Sequence, residues 1–341
     1  MSSDLANLQP AQVFLPAVSV IVPIYNGETD LPDLLYGLQS QTYPLNLVEY
    51  LLVDNGSDDR TPELLQSFAE VTPLNVRLLR ETQIQSSYAA RNTGIQAATA
   101  DILVFTDADC RPHPNWLSQI VQPFVEPTIG VVAGEILALP GKSILERYAD
   151  RHAILSQKYT LSHSFCPYGQ TANLAMRRAT LAEVGLFRPY LTTGGDADLC
   201  WRILQHSHWR IQLAEQSVVS HRHRSTLGAL CSQWQRYGRS NQYLHQLYGI
   251  SLTREMTLTD YGYRGVRWLL KEVPLAIAGM PQTGLTGVID RLVDTPLDLL
   301  CRWARTQGQR QATLPDSARA IAYLLPPAAP HSPLLLDTPS P

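Results

Sequence analysis

Ile102-Leu-Val-Phe105 runs directly into Thr106-Asp107-Ala108-Asp109. A short β-branched and aromatic run bounded by polar residues reads as a buried strand. At its mouth, where an open α/β sheet places its ligand crevice, stand two carboxylates one residue apart. Arg111 is the one neighbour in sequence that could neutralise them both. Like charges this close repel, so a site that keeps both ionised commonly contains a cation. Oxygen ligands suit Mg²⁺ or Mn²⁺, ions that bridge a carboxylate to a substrate diphosphate. The plain alternative is a solvated Asp-x-Asp turn.

Upstream, the same strand-to-polar pattern repeats. Val18 to Val22 reads as a strand closed by Pro23-Ile-Tyr-Asn-Gly27, and Asp30 can cap a helix running to about Gln41. Val48 to Val53 is a second strand ending in Asp54-Asn-Gly-Ser-Asp-Asp59, with Pro62 in the first turn of the next helix. Val76 to Leu79 is a third strand and Ser86 to Ala98 a helix. Strand and helix thus alternate up to Asp107, the signature of a mostly parallel, doubly wound α/β sheet. Tyr25, Asp54 and Asp107 all fall at strand ends, on the edge where such a sheet binds ligands. No Gly-x-Gly-x-x-Gly follows the first strand and no P-loop occurs, which disfavours a dinucleotide dehydrogenase or P-loop enzyme.

Beyond Asp109 the pattern is mixed. Strands are expected at Val131 to Leu139, Thr171 to Met176, Trp209 to Leu213 and Ser217 to Ser220. Helices are expected at Ile144 to Gln157, from Asp196 through Gln205, and from Leu227 to Gly249. The tail from about Pro315 is rich in Pro, Ala and Ser and reads as disordered.

Composition narrows the class. The 341 residues are 45% hydrophobic, enough for one large domain with an appendage. A formal net charge of −3 argues against nucleic acid as a partner. Five scattered cysteines with no zinc-like spacing read as reduced thiols in a cytoplasmic protein. Met1 to Pro16 lack the pattern of a signal peptide, and no apolar run reaches the roughly 18 to 20 residues that span a bilayer. Between Tyr263 and Arg310, basic residues alternate with Trp268, Leu269, Leu270 and Trp303. Such a segment suits either peripheral binding to the inner face of a membrane or core packing.

Four motifs in order, Val18-Ser-Val-Ile-Val-Pro-Ile-Tyr-Asn26, Val53-Asp-Asn-Gly-Ser57, Ala90-Arg-Asn-Thr-Gly94 and Asp107-Ala-Asp109, resemble the family-2 glycosyltransferases over roughly residues 16 to 245. The resemblance implies the GT-A fold, a Rossmann-like α/β architecture, and inverting transfer from a UDP- or GDP-sugar. It implies a glycan or lipid-linked acceptor, as in polysaccharide biosynthesis. The corresponding domain would span 16–250, with a nucleotide-binding half (16–110) and an acceptor-binding half (111–250). A short extension, 1–15, precedes it, and a helical region, 251–312, and a tail, 313–341, follow.

By resemblance, Pro23, Tyr25 and Asp54 hold the nucleoside, although Asn55 stands where many relatives have a second Asp. Arg91 and Asn92 lie near the sugar-nucleotide. Asp107 and Asp109 match the metal triplet, with Mg²⁺ or Mn²⁺ stabilising the departing diphosphate, and Asp107 also contacts the donor. Thr193-Gly-Gly-Asp-Ala-Asp-Leu-Cys-Trp-Arg202 resembles the Glu-Asp-x-Asp segment that carries the catalytic base, with Gly195 in place of the Glu. Asp196 takes the base's position, with Asp198 the competing assignment and helix capping a role for one of the two. His221, in His-Arg-His-Arg224, is a candidate third metal ligand. Gln233 and Arg236, in Gln-Trp-Gln-Arg-Tyr237, resemble the Gln-x-x-Arg-Trp signature of processive relatives with Tyr for Trp, and the segment is expected here to close over the diphosphate or acceptor, or to be a packed helix. Processive synthesis itself is not expected without membrane helices. Asn173 falls in a segment that lines the acceptor side. A metal-dependent nucleotidyltransferase, or a silent sugar-binding scaffold, remains the alternative. The first should carry a Gly-rich basic loop after the first strand, and the second should lack the carboxylates.

Overall fold

The computed structural model describes residues 14–325; most of the expected N-terminal extension and the end of the tail lie outside them. In the first half the elements are β1 (Val18–Ile24), α1 (Leu31–Gln39), β2 (Val48–Asp54), α2 (Thr61–Val71), β3 (Val76–Arg80), α3 (Ser87–Ala97) and β4 (Ile102–Thr106). The predicted alternation holds. β1 pairs in parallel with both β2 and β4, and β2 with β3. Every residue of β1, β2 and β4 is buried. Along them, successive side chains feed opposite cores: Val20, Val22 and Val104 enter one, Ile21, Leu51 and Leu103 the other. A strand buried on both faces reads as a near-continuous apolar run, which is why these three were legible. Asp30 heads α1 without capping it through its side chain; its carboxylate instead accepts from Arg111 and Arg222.

The second half contains β5 (Cys110–Pro112), α4 (Trp116–Ile120), β6 (Ile129–Ala138), α5 (Ile144–Arg151), α6 (Gln157–Leu161), β7 (Asn173–Arg177), α7 (Arg178–Val184), α8 (Gly195–His206), β8 (Arg210–His221) and α9 (Leu227–Tyr248). Two expectations are corrected here. The single helix over Ile144 to Gln157 is two helices, interrupted where Ala153 adopts a left-handed φ of 44°. The two short strands after Trp209 are one strand, whose pairing with β6 shifts register beside Gly134 and Glu135.

All eight strands form one sheet in the order β3-β2-β1-β4-β7-β6-β8-β5. β7 runs antiparallel between β4 and β6, and β5 antiparallel against β8, so the sheet is mixed beyond β4. This topology builds the site. Thr106 at the end of β4 pairs with Asn173 at the start of β7, and Asp107 and Thr171 just beyond line the same cavity. Cys110 pairs with His221, which brings the end of β8 against Asp109.

The C-terminal region is helical: α10 (Leu258–Arg267), a π-helical turn (Trp268–Glu272), α11 (Val273–Ala278) and α12 (Met280–Gln311), the last broken at Gly284. Among the described residues no helix is long and apolar enough to cross a membrane. α12 lies against α9 at backbone distance. A Cβ on Gly238 would stand 1.9 Å from the Arg305 carbonyl oxygen, and one on Gly308 1.9 Å from that of Gln235. The segment expected to be disordered from Pro315 packs as far as Leu325. Leu314 and Ala318 are buried in the core, and the Leu186 N–H donates to the Ala322 carbonyl. Small apolar side chains and a backbone hydrogen bond suffice to dock a segment whose composition resembles a linker.

Candidate active site

Asp107 leaves the end of β4 and meets Arg91 of α3, with 2.5 Å between guanidinium and carboxylate. Arg91 is buried against the rings of Tyr88 and Phe187, which fix its direction. Burial opposes its charge, but Asp107 and then Asp196 outweigh it and raise its pKa, so one guanidinium serves two carboxylates. The expected partner, Arg111, turns away to Asp30 and Asp33. Asp109 is paired instead with His221, 3.2 Å away, and with Arg224, 3.6 Å away. Burial works to raise the Asp109 pKa, yet His221 and Arg224 hold it at about 2. Burial likewise opposes the His221 cation, and Asp109 reverses it, so the imidazole pKa is raised. His223 is pushed down to about 4 by burial and by His221. The carboxylates are therefore not left bare: neighbours distant in sequence neutralise them.

Ligand atoms of Asp109, Cys110 and His221 lie within 4.8 Å of one another. The Cys110 thiol is raised far above its usual range by burial and points to the Ala172 carbonyl, so it contributes no thiolate. An oxygen and an imidazole nitrogen remain, with Asp107 on the same turn. The buried Nδ1 of His221 finds no hydrogen-bond partner among the described residues. Two carboxylates with one imidazole make an oxygen-rich donor set, which fits Mn²⁺ or Mg²⁺.

Asp196 sits in the first turn of α8, after Gly194, whose φ of +80° starts the helix. Its carboxylate accepts from the Thr171 hydroxyl at 3.0 Å and the Thr171 N–H at 3.4 Å. Burial raises its pKa, and Arg91 opposes the rise. It opens on a cavity of about 220 Å³ that Arg91, Asp107, His221, Arg224 and Arg236 also line. Gly195, where the resemblance implies Glu, has no room for a side chain, since a Cβ would stand 2.7 Å from the Tyr88 ring. The Gly195 N–H donates to the Tyr88 hydroxyl.

Asp198, two residues on, is fully buried outside that cavity. It is ion-paired to Arg188 at 2.8 Å and Arg202 at 3.0 Å, and accepts from the Tyr248 hydroxyl. The expectation that Asp198 contacts acceptor or diphosphate is corrected: its lone pairs are spent joining α8 to the segment before it. Asn173 is corrected for the same reason. It is fully buried, accepts from the Trp116 indole and donates to the carbonyls of Glu135 and Ser217. Asn92 exchanges hydrogen bonds with the Phe187 backbone.

Pro23 and Tyr25 line a second hollow of about 280 Å³, with Asn55 and Gln85. It shares Ser87 and Thr192 with the first. Asp54 is buried and is not among the residues that line this hollow; it pairs with Arg80 at 3.3 Å and accepts from the Ser57 N–H. Gln233 and Arg236 line the first cavity, with Gln233 donating to the Tyr237 hydroxyl. Tyr88, Thr171 and Arg224 carry more of this site than their sequence surroundings suggest. Tyr88 stands one helical turn before Arg91, a spacing that could have flagged it; Thr171 offers no comparable signal.

A mixed eight-stranded α/β sheet whose edge cavity is lined by two carboxylates and several cations is the architecture of the GT-A fold. The model of glycosyl transferase family 2 matches residues 19–183, and that of glycosyl transferase family group 2 matches residues 102–303. The chain belongs to the family-2 glycosyltransferases. It is 35% identical over 246 residues to glycosyltransferase AglE of Haloferax volcanii, covering 72% of this chain and 79% of that one. It is 30% identical over 189 residues to the undecaprenyl-phosphate 4-deoxy-4-formamido-L-arabinose transferase of Pseudomonas aeruginosa, spanning 54% of this chain and 55% of the relative. The fold matches that of the mannosyltransferase PcManGT from Pyrobaculum calidifontis, solved with GDP-Man and Mn²⁺. The TM-score is 0.57 at 21% identity, over 87% of this chain and 85% of the other. This membership sets aside both the nucleotidyltransferase and the silent scaffold.

Proposed function

We propose that the protein is an inverting transferase that moves a sugar from a UDP- or GDP-sugar to a glycan or lipid-linked acceptor, with Asp196 as general base. The observation that carries this reading is the placement of Asp107 and Asp196 on one cavity, both within the electrostatic reach of Arg91. The nucleoside would lie in the hollow of Pro23 and Tyr25. The diphosphate would lie against Arg224 and Arg236, whose planar, permanent cations suit phosphate. Asp107, Asp109 and His221 would hold Mg²⁺ or Mn²⁺, which when bound offsets the charge on the departing nucleoside diphosphate.

The chain's own part is at the acceptor. The acceptor hydroxyl donates to the Asp196 carboxylate, which Thr171 holds in place. As its oxygen bonds to the anomeric carbon, the bond to the diphosphate breaks on the opposite face and the proton passes to Asp196. The GDP-Man and Mn²⁺ of PcManGT support the donor class. The undecaprenyl-phosphate named for the Pseudomonas relative supports a lipid-linked acceptor. The exposed Leu258, Leu269, Leu270, Leu275 and Leu285 of the C-terminal helices support peripheral contact with the membrane that holds such an acceptor.

Calorimetric titration of UDP-glucose, UDP-GlcNAc and GDP-mannose tests the reading. One of them should bind with Mn²⁺ and bind far more weakly in EDTA or in Asp109→Ala. Affinity indifferent to Mn²⁺ for all three would overturn the metal assignment, and no binding at all would overturn the donor class.

A further inference from the structure

A larger cavity, of about 490 Å³, adjoins the one that Asp196 lines. The two share Tyr168, Gln170, Tyr237 and Ser240 as common walls. The larger cavity is aromatic, with Tyr148, Tyr159 and Trp234 joining Tyr168 and Tyr237. Its cation is Arg305, which comes from α12 in the C-terminal helical region. The guanidinium donates to Asn241 Oδ1, with Nε at 3.1 Å, and no carboxylate pairs with it among the described residues. Asp298, the acid that also lines this cavity, is taken by Arg264 and Arg302. Burial pulls the Arg305 pKa below the usual arginine range, with Tyr168 and Tyr237 opposing, so the charge is desolvated without an anion to compensate it. Asp196 and Arg305 both act on the Tyr168 phenol, from opposite sides in charge.

We propose that this cavity is the acceptor subsite and that it takes an acceptor carrying a phosphate group, with Arg305 as the anion's partner. The inference rests on the transferase reading above and extends it to the acceptor's chemistry. Aromatic walls suit the apolar face of a sugar ring or a prenyl chain, and a desolvated arginine fork suits phosphate more strongly than any neutral group. Arg305 is thus a specificity residue contributed from outside the segment that carries the catalytic motifs. The phosphate is the anchor and a sugar hydroxyl the nucleophile, so a soluble sugar phosphate and a sugar linked to a lipid phosphate share this chemistry, and the experiment separates the two kinds of anchor.

Equilibrium binding is measured for glucose 6-phosphate and geranyl phosphate, each beside its neutral parent, glucose or geraniol. At least one phosphate should bind roughly tenfold to a hundredfold more tightly than its parent, the factor a charged hydrogen bond supplies. Arg305→Gln should remove that advantage and leave the neutral parents unchanged, and Arg305→Lys should restore part of it. The phosphate that binds names the source, soluble or lipid. Asn241→Asp offers a second route if Arg305→Gln does not fold: it sets a carboxylate against the guanidinium and should weaken phosphate binding while keeping the arginine. No preference for either phosphate, or an unchanged preference in the folded variants, overturns the proposal. Donor titration with Mn²⁺ on the same samples separates the two readings. Donor binding without phosphate preference sinks the subsite alone, and phosphate binding without any donor sinks the transferase reading.

Discussion

Burial raises the Asp196 pKa, while Arg91 keeps the ionised form within reach. As the proposed general base Asp196 would act as the deprotonated carboxylate, so turnover should rise with pH through a pKa above the ordinary carboxylate range and fall below it. Asp196→Asn should lower turnover about 10² to 10⁴-fold and leave donor affinity near normal. The sign for stability is opposite to that of an ordinary acid. A raised folded-state pKa stabilises at low pH, and that contribution is lost as pH rises through it. Asp196→Asn should therefore melt no lower than the parent at pH 8. Asp198→Asn leaves Arg188 and Arg202 buried against a neutral group, a loss of about 3–5 kcal/mol. Thermal melting beside transfer kinetics checks both, and a collapse of activity confined to Asp198→Asn at unchanged stability would reverse the roles. Gly195 gives a further residue-scale test. Gly195→Ala drives a Cβ into the Tyr88 ring and should cost about 1–3 kcal/mol. In a Tyr88→Ala background the same change should cost little, and equal costs in both backgrounds would remove Tyr88 as the cause.

At the scale of elements, α12 reaches the site only because α9 lets it approach at backbone distance. Gly238→Ala places a Cβ 1.9 Å from a carbonyl oxygen of α12, and backbone cannot rotate away as a side chain can. The helices must separate, with a loss of several °C in melting temperature and a displaced Arg305. Gly228, on the same helix, has nothing within 4 Å of its Cβ position. Gly228→Ala should be neutral, or gain up to about 1 kcal/mol from helix propensity. Similar melting shifts for both variants would show that the close crossing contributes nothing. The α9 helix was legible in sequence, over Leu227 to Gly249. Its pairing with α12 was not, since two glycines some 70 residues apart carry no local signal.

At the scale of the whole molecule, the C-terminal helices both wall the second cavity and present apolar side chains outward. Leu269 is 57% and Leu270 71% exposed, so replacing them disturbs little packing. The protein should float with anionic liposomes, and a double Leu269→Asp, Leu270→Asp variant should remain in the aqueous fraction with an unchanged melting temperature. Equal flotation of both would assign that face no part in membrane contact. Removal of the whole region is the weaker test, because it takes α12 and Arg305 with it.

The sequence by itself determined the parallel half of the sheet, the strand ends that carry Asp107 and Asp109, and the family. Strands buried on both faces and polar strand ends are local patterns, readable residue by residue. What neutralises each carboxylate was decided only in three dimensions. Arg91 meets Asp107, His221 meets Asp109, and Arg111 serves neither, because partners are set by strand register and helix packing over long sequence separations. The same physics distinguishes Asp196 from Asp198. On one helix turn, one carboxylate opens on a cavity and the other disappears into a pair of arginines, a difference of direction that no spacing in the chain records.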